Sequence, residues 1–170
     1  MSHTMFDIML VEDDWEDTNL VLSALREQKP DMNITVVRDG AEALDCIFAT
    51  GRYVNRTPYT PHLILLDLRL PKRDGLDVLR VLRSYVRTKV IPVVILSGSV
   101  EERKVVESYE LGANSVVTKP QDGEQFRRLL RQIVAYWTTM NVPQDVDQSA
   151  DPNGRTSSAS EGEDMARGTS

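Results

Sequence analysis

Short, nearly continuous apolar runs alternate along this chain with stretches whose apolar residues recur at helical spacing. Phe6–Val11, Leu63–Leu66, Val90–Leu96 and Ser115–Thr118 form the runs, the pattern of strands buried on both faces of a parallel sheet. A further strand is expected at Asn33–Val37. Between the runs, Leu20, Val21, Ala24 and Leu25 predict a first helix, capped from among Asp14 to Asp17 and ending before Pro30. The second helix is expected over Gly40–Thr50 with Gly51 as its stop, the third over Gly75–Arg87, and the fourth over Val100–Leu111 with Gly112 as its stop. Phe126, Leu129, Leu130, Ile133, Val134, Trp137 and Met140 mark a fifth. The stretch from Arg52 to Pro61 holds two prolines and no periodicity, so it reads as a loop. Five strands and five helices in strict alternation, without an internal repeat, predict an α/β protein.

The polar residues at the ends of these runs change the picture from fold to chemistry. Glu12 and Asp13, Asp67, Ser97 and Lys119 each stand at the carboxyl end of a separate run. In an open parallel sheet, ligands bind beyond the carboxyl ends of the strands, so these side chains are expected to share one edge. Acids that close repel one another and tend to protonate unless a cation is present. Magnesium suits this set: it takes oxygen ligands, keeps several waters and draws on one or two carboxylates. Calcium, with six to eight oxygens and its own loop spacing, fits less well. A carboxylate such as Asp67 can act as a nucleophile toward phosphorus to give an acyl phosphate. That reaction needs positioning and charge neutralisation, which a metal and Lys119 provide, with Ser97 as a hydroxyl donor. Read singly, each acid is a solvated loop residue or helix cap, and Ser97 is a cap for the fourth helix. His3 and His62 lie outside this constellation.

Composition limits the remaining possibilities. The chain has 170 residues, 41% hydrophobic and 27% charged, which suits one globular domain, and a net charge of −6 argues against non-specific binding to nucleic acid. No apolar run approaches the roughly 20 residues of a membrane span, and no export signal opens the chain. A cytoplasmic location is expected. Cys46 is the single cysteine, so it forms no intrachain disulfide and reads as a small buried apolar residue. From Gln144 onward there is no Leu, Ile, Phe, Tyr or Trp, and six acids stand against Arg155 and Arg167. Such a composition predicts a disordered acidic tail over residues 144–170, following a folded domain over residues 5–143. No DNA-binding segment is expected after that domain.

Taken together, Leu10-Val11-Glu12-Asp13-Asp14, Leu65-Leu66-Asp67-Leu68-Arg69-Leu70-Pro71 with Asp74-Gly75, Ile95-Leu96-Ser97-Gly98 and Thr118-Lys119-Pro120 resemble the receiver domain of two-component response regulators. The resemblance covers about residues 5 to 125. It implies a doubly wound, flavodoxin-like (βα)5 fold, a five-stranded parallel sheet in the order 2-1-3-4-5. It also implies that Asp67 accepts a phosphoryl group from a sensor histidine kinase. Magnesium would be held by Asp13, Asp67 and the backbone carbonyl of Arg69, with Glu12 assisting through water. Ser97 and Lys119 would hold the phosphoryl group together with the backbone N–H groups of Leu68 and Gly98. The protein would be no enzyme beyond its own phosphorylation and dephosphorylation. The Lys119–Pro120 bond is expected to be cis, as in similar proteins.

Two positions depart from the family pattern. Glu12 replaces the frequent Asp, a variant that preserves contact through a metal-bound water. Val116 stands where receivers usually carry Tyr or Phe, so the aromatic ring that reports phosphorylation there is missing. Within the family, the long segment from Gly51 to Leu63, the loop Leu70 to Gly75 and the ending Tyr136 to Pro143 resemble small regulators paired with bacterial phytochromes. Such relatives tend to form homodimers through the face made by helix four, strand five and helix five. Trp137 and Met140 can extend such an interface, or the same stripe can pack on the sheet. Three other readings remain. An aspartyl-phosphate phosphohydrolase usually has a second acid where this chain has Arg69. A flavin- or nucleotide-binding protein would carry a phosphate loop where this chain has Glu12-Asp13-Asp14. A scaffold that keeps the fold without phosphorylation is the third.

Overall fold

A computed structural model of the protein describes residues 5–98 and 101–141. The five strands are β1 (Asp7–Val11), β2 (Asn33–Val37), β3 (Leu63–Asp67), β4 (Val93–Ser97) and β5 (Ser115–Thr118). The helices between and after them are α1 (Trp15–Gln28), α2 (Gly40–Phe48), α3 (Gly75–Ser84), α4 (Glu102–Glu110) and α5 (Gly123–Ala135). All pairings are parallel, in the order β2-β1-β3-β4-β5. The expected doubly wound sheet is therefore present.

Side chains alternate across the sheet and so divide the core in two. Met9, Val11, Ile64, Leu66, Val93 and Ile95 meet α2 and α3 on one face through residues such as Ile47, Val78 and Leu79. Ile8, Leu10, Leu63, Leu65, Val94 and Leu96 meet α1 and α5 on the other through Val21, Leu25, Phe126 and Leu130. Every residue of β3 and β4 is buried, which explains why those strands read as unbroken apolar runs. Fully burying one such Leu or Ile stabilises by about 1.5–3 kcal/mol. The sheet is thus packed from both sides at its centre.

Several boundaries differ from expectation, each for a local reason. β4 begins at Val93 and not Val90, because Pro92 has no N–H for the ladder and the Val93 amide bonds Asn114 Oδ1 at 2.9 Å. α3 stops at Ser84, where Tyr85 turns extended and its carbonyl accepts from the amides of Thr88 and Lys89. Ala49, not Gly51, takes the left-handed cap of α2 (φ 54°), and Gly51 opens a 3₁₀ turn to Tyr53 inside the expected loop. Gly112 follows α4 with φ 93°, as its role of stop requires. α5 continues as a π-helical turn over Tyr136–Met140. No peptide bond among the described residues is cis, so Lys119–Pro120 is trans, contrary to expectation. The intrinsic preference at an X–Pro bond is only about 0.5–1 kcal/mol, so it does not by itself choose the isomer. The expected acidic tail lies outside the described residues, as does His3.

Candidate functional site

Parallel strands that end together bring their following residues together. Val11, Asp67 and Ser97 close β1, β3 and β4, and Lys119 follows β5 directly. The Glu12 amide donates to Val37 O at 3.0 Å, which extends the sheet by one residue and points the next residues over its edge. Asp14 then caps α1, its Oδ1 accepting from the Asp17 amide at 2.9 Å. Beyond β3, Asp67 Oδ1 accepts from the Arg69 amide at 2.9 Å, and the Gly75 amide donates to Leu68 O at 2.9 Å. A Cβ at Gly75 would lie 2.2 Å from Asp67 O, so only glycine lets α3 start this close to the acid. The Lys119 amide donates to Ser97 O at 2.8 Å and ties the ends of β4 and β5.

These turns bury charge. Glu12 is 1% exposed, Asp67 8% and Ser97 5%. At their centre, Lys119 Nζ donates to Glu12 Oε2 at 2.6 Å, to Asp67 Oδ2 at 2.6 Å and to Asp17 Oδ2 at 2.8 Å. Burial alone would lower the Lys119 pKa, but hydrogen bonds to Asp17, Asp67 and Glu12 outweigh it and hold it above the usual lysine value. Glu12 shows the opposite balance. Its burial raises its pKa from 4.5 to about 7, more than the hydrogen bond and charge of Lys119 lower it. Glu12 therefore sits where its charge state changes near neutrality, beside a lysine that stays charged.

Glu12, Asp13 and Asp67 each bring a carboxylate oxygen within 4.8 Å of the others. An all-oxygen donor set suits hard divalent cations such as magnesium, manganese or calcium and not zinc or copper. Asp13 is exposed, which leaves room for the waters that magnesium retains. The residues present thus fit a divalent ion. Chemically, the arrangement offers an oxygen nucleophile at Asp67, a fixed ammonium at Lys119 and a cation site beside both.

Each expected site residue can now be placed. Glu12, Asp13, Asp67, Ser97 and Lys119 converge, with Leu68, Arg69 and Gly98 following directly on their strands. Val116 lies on the edge strand, half-buried, and its amide donates to Tyr109 Oη of α4 at 3.2 Å. Trp137 is far from this edge: it lines a groove with Val90, Pro92, Asn114 and Ile133 at the amino ends of β4 and β5. It packs partly against the sheet core, whereas Met140 is 75% exposed. Two participants were not foreseen. Asp17 reads in sequence as a helix-cap residue, and Tyr109 carries no signal except its distance of seven residues from Val116.

A parallel five-stranded sheet with paired acids after β1, an acid closing β3 and a lysine after β5 is the architecture of response regulator receivers. Residues 8–131 match the family described as response regulator receiver domain, and the chain belongs to that family. It is 37% identical over 137 residues to the response regulator Rcp1 of Synechocystis sp., covering 80% of this chain and 92% of Rcp1. The crystal structure of the phosphorylated cyanobacterial phytochrome response regulator RcpA matches with a TM-score of 0.77 at 36% identity, over 82% of this chain and 99% of RcpA. The Mn2+-bound form of Rcp1 matches over the same shares with a TM-score of 0.77 at 35% identity. The bacteriophytochrome response regulator RtBRR is 44% identical with a TM-score of 0.66, over 84% of this chain and 86% of RtBRR. The protein is a receiver-domain response regulator that takes the accepting role in a phosphorelay.

Proposed function

We propose that Asp67 is the phosphoryl acceptor and that the donor is a phosphohistidine of a sensor kinase, of the phytochrome type named for RcpA and RtBRR. The observation that carries this is the Asp67 carboxylate, placed at the buried end of β3 and bonded by Lys119 Nζ and the Arg69 amide. One carboxylate oxygen attacks phosphorus and forms the acyl phosphate. The P–N bond breaks, and its electron pair leaves with the imidazole. Lys119 keeps its ammonium against the transferring oxygens, while the Ser97 hydroxyl and the amides of Leu68 and Gly98 receive the phosphoryl group. Magnesium would be held by Asp13, Asp67 and the Arg69 carbonyl, with Glu12 assisting through water, and would supply charge neutralisation. The protein catalyses its own phosphorylation and dephosphorylation and no other reaction, in the cytoplasm. Among the described residues no helix is long and apolar enough to cross a membrane.

Signalling is through protein contact. The exposed Val106 and Tyr109 of α4 support a homodimer built on α4, β5 and α5. The decisive experiment is incubation with acetyl phosphate and magnesium, followed by intact-mass measurement. A hydroxylamine-labile gain of one phosphoryl group is expected in the native chain and none in Asp67→Asn. An unchanged gain in Asp67→Asn rejects this assignment. Sedimentation that shows only monomer at micromolar concentration, with and without phosphorylation, removes the dimer.

A further inference from the structure

Asp17 has an obvious structural explanation that the geometry excludes. Asp14 and Asp17 stand at the spacing of a capping box, in which the acid three residues after the cap reaches back to the amide of the cap residue. The first half is present, since Asp14 Oδ1 accepts from the Asp17 amide at 2.9 Å. The second half is not Asp17's: the Asp14 amide donates to Glu12 Oε1 at 3.0 Å. With that amide satisfied, the Asp17 carboxylate turns away from its own helix and accepts from Lys119 Nζ at 2.8 Å, across 102 residues of chain.

An ammonium has three donors, and Lys119 spends one each on Glu12, Asp17 and Asp67. Two of these acceptors change partners if the site works as proposed. On phosphorylation one Asp67 oxygen becomes the bridging oxygen of an acyl phosphate, and Glu12 belongs to the oxygen set that fits a divalent ion. Asp17 belongs to neither. It is carried by the first turn of α1, which is anchored by the buried Thr18, Val21, Ala24 and Leu25. Lysine is a point charge on a flexible four-carbon stem, so its aim depends on what holds it.

We infer that Asp17 is a positioning residue for phosphoryl transfer: it holds the Lys119 ammonium against the Asp67 oxygen while the other two acceptors of Lys119 change partners. The inference rests on the proposed role of Asp67 for its consequence, but the holding itself is measurable without phosphorylation. A change at the Asp17 side chain leaves its backbone amide free to bond Asp14, so α1 keeps its cap and the variants fold.

Two measurements on the full chain test this. In the metal-free protein, the Lys119 ammonium is expected as a slowly exchanging nitrogen-15 resonance, assigned by its loss in Lys119→Arg. Asp17→Ala speeds its exchange with water about tenfold to a hundredfold, the worth of one hydrogen bond to a charged group. Asp17→Asn, which retains a carbonyl acceptor, has a smaller effect. With acetyl phosphate and magnesium, Asp17→Ala lowers the phosphorylation rate at saturating donor by about tenfold to a hundredfold, with the donor KM little changed, and Asp17→Asn recovers most of it. Wild-type ammonium exchange in Asp17→Ala overturns the inference. So does a rate equal to or above wild type, which would make Asp17 a competitor for the lysine. If the native chain takes no phosphoryl group, the role of Asp67 fails, while the ammonium measurement still decides whether Asp17 holds Lys119.

Discussion

Helices α4 and α5 flank the same edge strand, yet they are held to the sheet by different forces. α5 inserts Phe126, Leu130 and Val134, none more than 1% exposed, into the core over β1, β3 and β4. On α4, Ser108 is the one buried side chain among the described residues, and its hydroxyl bonds the Lys104 carbonyl of its own helix. Val106 and Tyr109 are each about half exposed. The ties from α4 outward are polar: Tyr109 Oη accepts from the Val116 amide, and Glu107 meets Arg80 of α3 at 3.5 Å. α5 is therefore a wall of the core, whereas α4 is an element resting on the surface. Elements with few buried apolar contacts open at the lowest free energy. α4 follows Ser97 in the chain, so the helix that moves most cheaply is the one next to the site.

Mutations that remove apolar volume break this contrast most visibly. Leu130→Ala is expected to destabilise by about 2–5 kcal/mol, through lost burial and the cavity left behind. Val106→Ala, on an exposed face, should stay within about 0.5 kcal/mol of the native protein. Urea unfolding of both variants decides it, and equal losses would place α4 in the core with α5.

The site itself belongs to the firmly held side through α1, and its pH dependence sharpens the contrast. Burial raises the Glu12 pKa from 4.5 to about 7, so the folded protein holds this proton more tightly than the unfolded chain. The sign follows: the stability contributed by that proton is present at low pH and is lost as pH rises from 4.5 toward 7. Divalent ions bind the ionised form, so magnesium affinity should rise by up to about tenfold per pH unit below that point and level off above it. Trp15, at the start of α1, is 63% exposed and reports binding through its fluorescence. An affinity independent of pH between about 5 and 7 would show that Glu12 is hydrated and the edge loosely packed.

The smallest effect lies in the polar tie of α4. Tyr109→Phe removes the acceptor of the Val116 amide, at a cost of about 0.5–1.5 kcal/mol. Faster hydrogen exchange is expected at Val116 in this variant, with the α5 amides unchanged. In the native protein, α4 amides should exchange before those of α5. Equal protection of the two helices would end the distinction.

Much of this arrangement is legible in order along the chain. Strands β1, β3 and β5 fall within one residue of their apolar runs, and the residues that end them, Glu12, Asp13, Asp67 and Lys119, meet at the expected edge. Ser97 closes β4 as expected, although that strand starts three residues late, at Val93 after Pro92. The errors in the elements are at termini, where one hydrogen bond such as Val93 to Asn114 competes with periodicity, and the Lys119–Pro120 bond is trans where cis was expected. Asp17 and Tyr109 show a different kind of miss. In sequence Asp17 fits a local cap, and only the position of Glu12 reveals that the cap is already complete.

Sequence alone determined which residues end strands and which chemical groups they carry, because side-chain alternation and apolar continuity are local properties. It also determined that position 116 on β5 is a valine and not an aromatic residue. Tertiary structure decided that Lys119 divides its three protons among Glu12, Asp17 and Asp67, that Glu12 is dehydrated enough to titrate near neutrality, and that Tyr109 covers the edge amide of Val116. The reason is the same for the first two: a hydrogen bond between residues more than 100 positions apart, and the exclusion of water around it, exist only once the strands have been laid side by side. The Tyr109 contact spans only seven residues, but it too depends on α4 being set against the edge of β5.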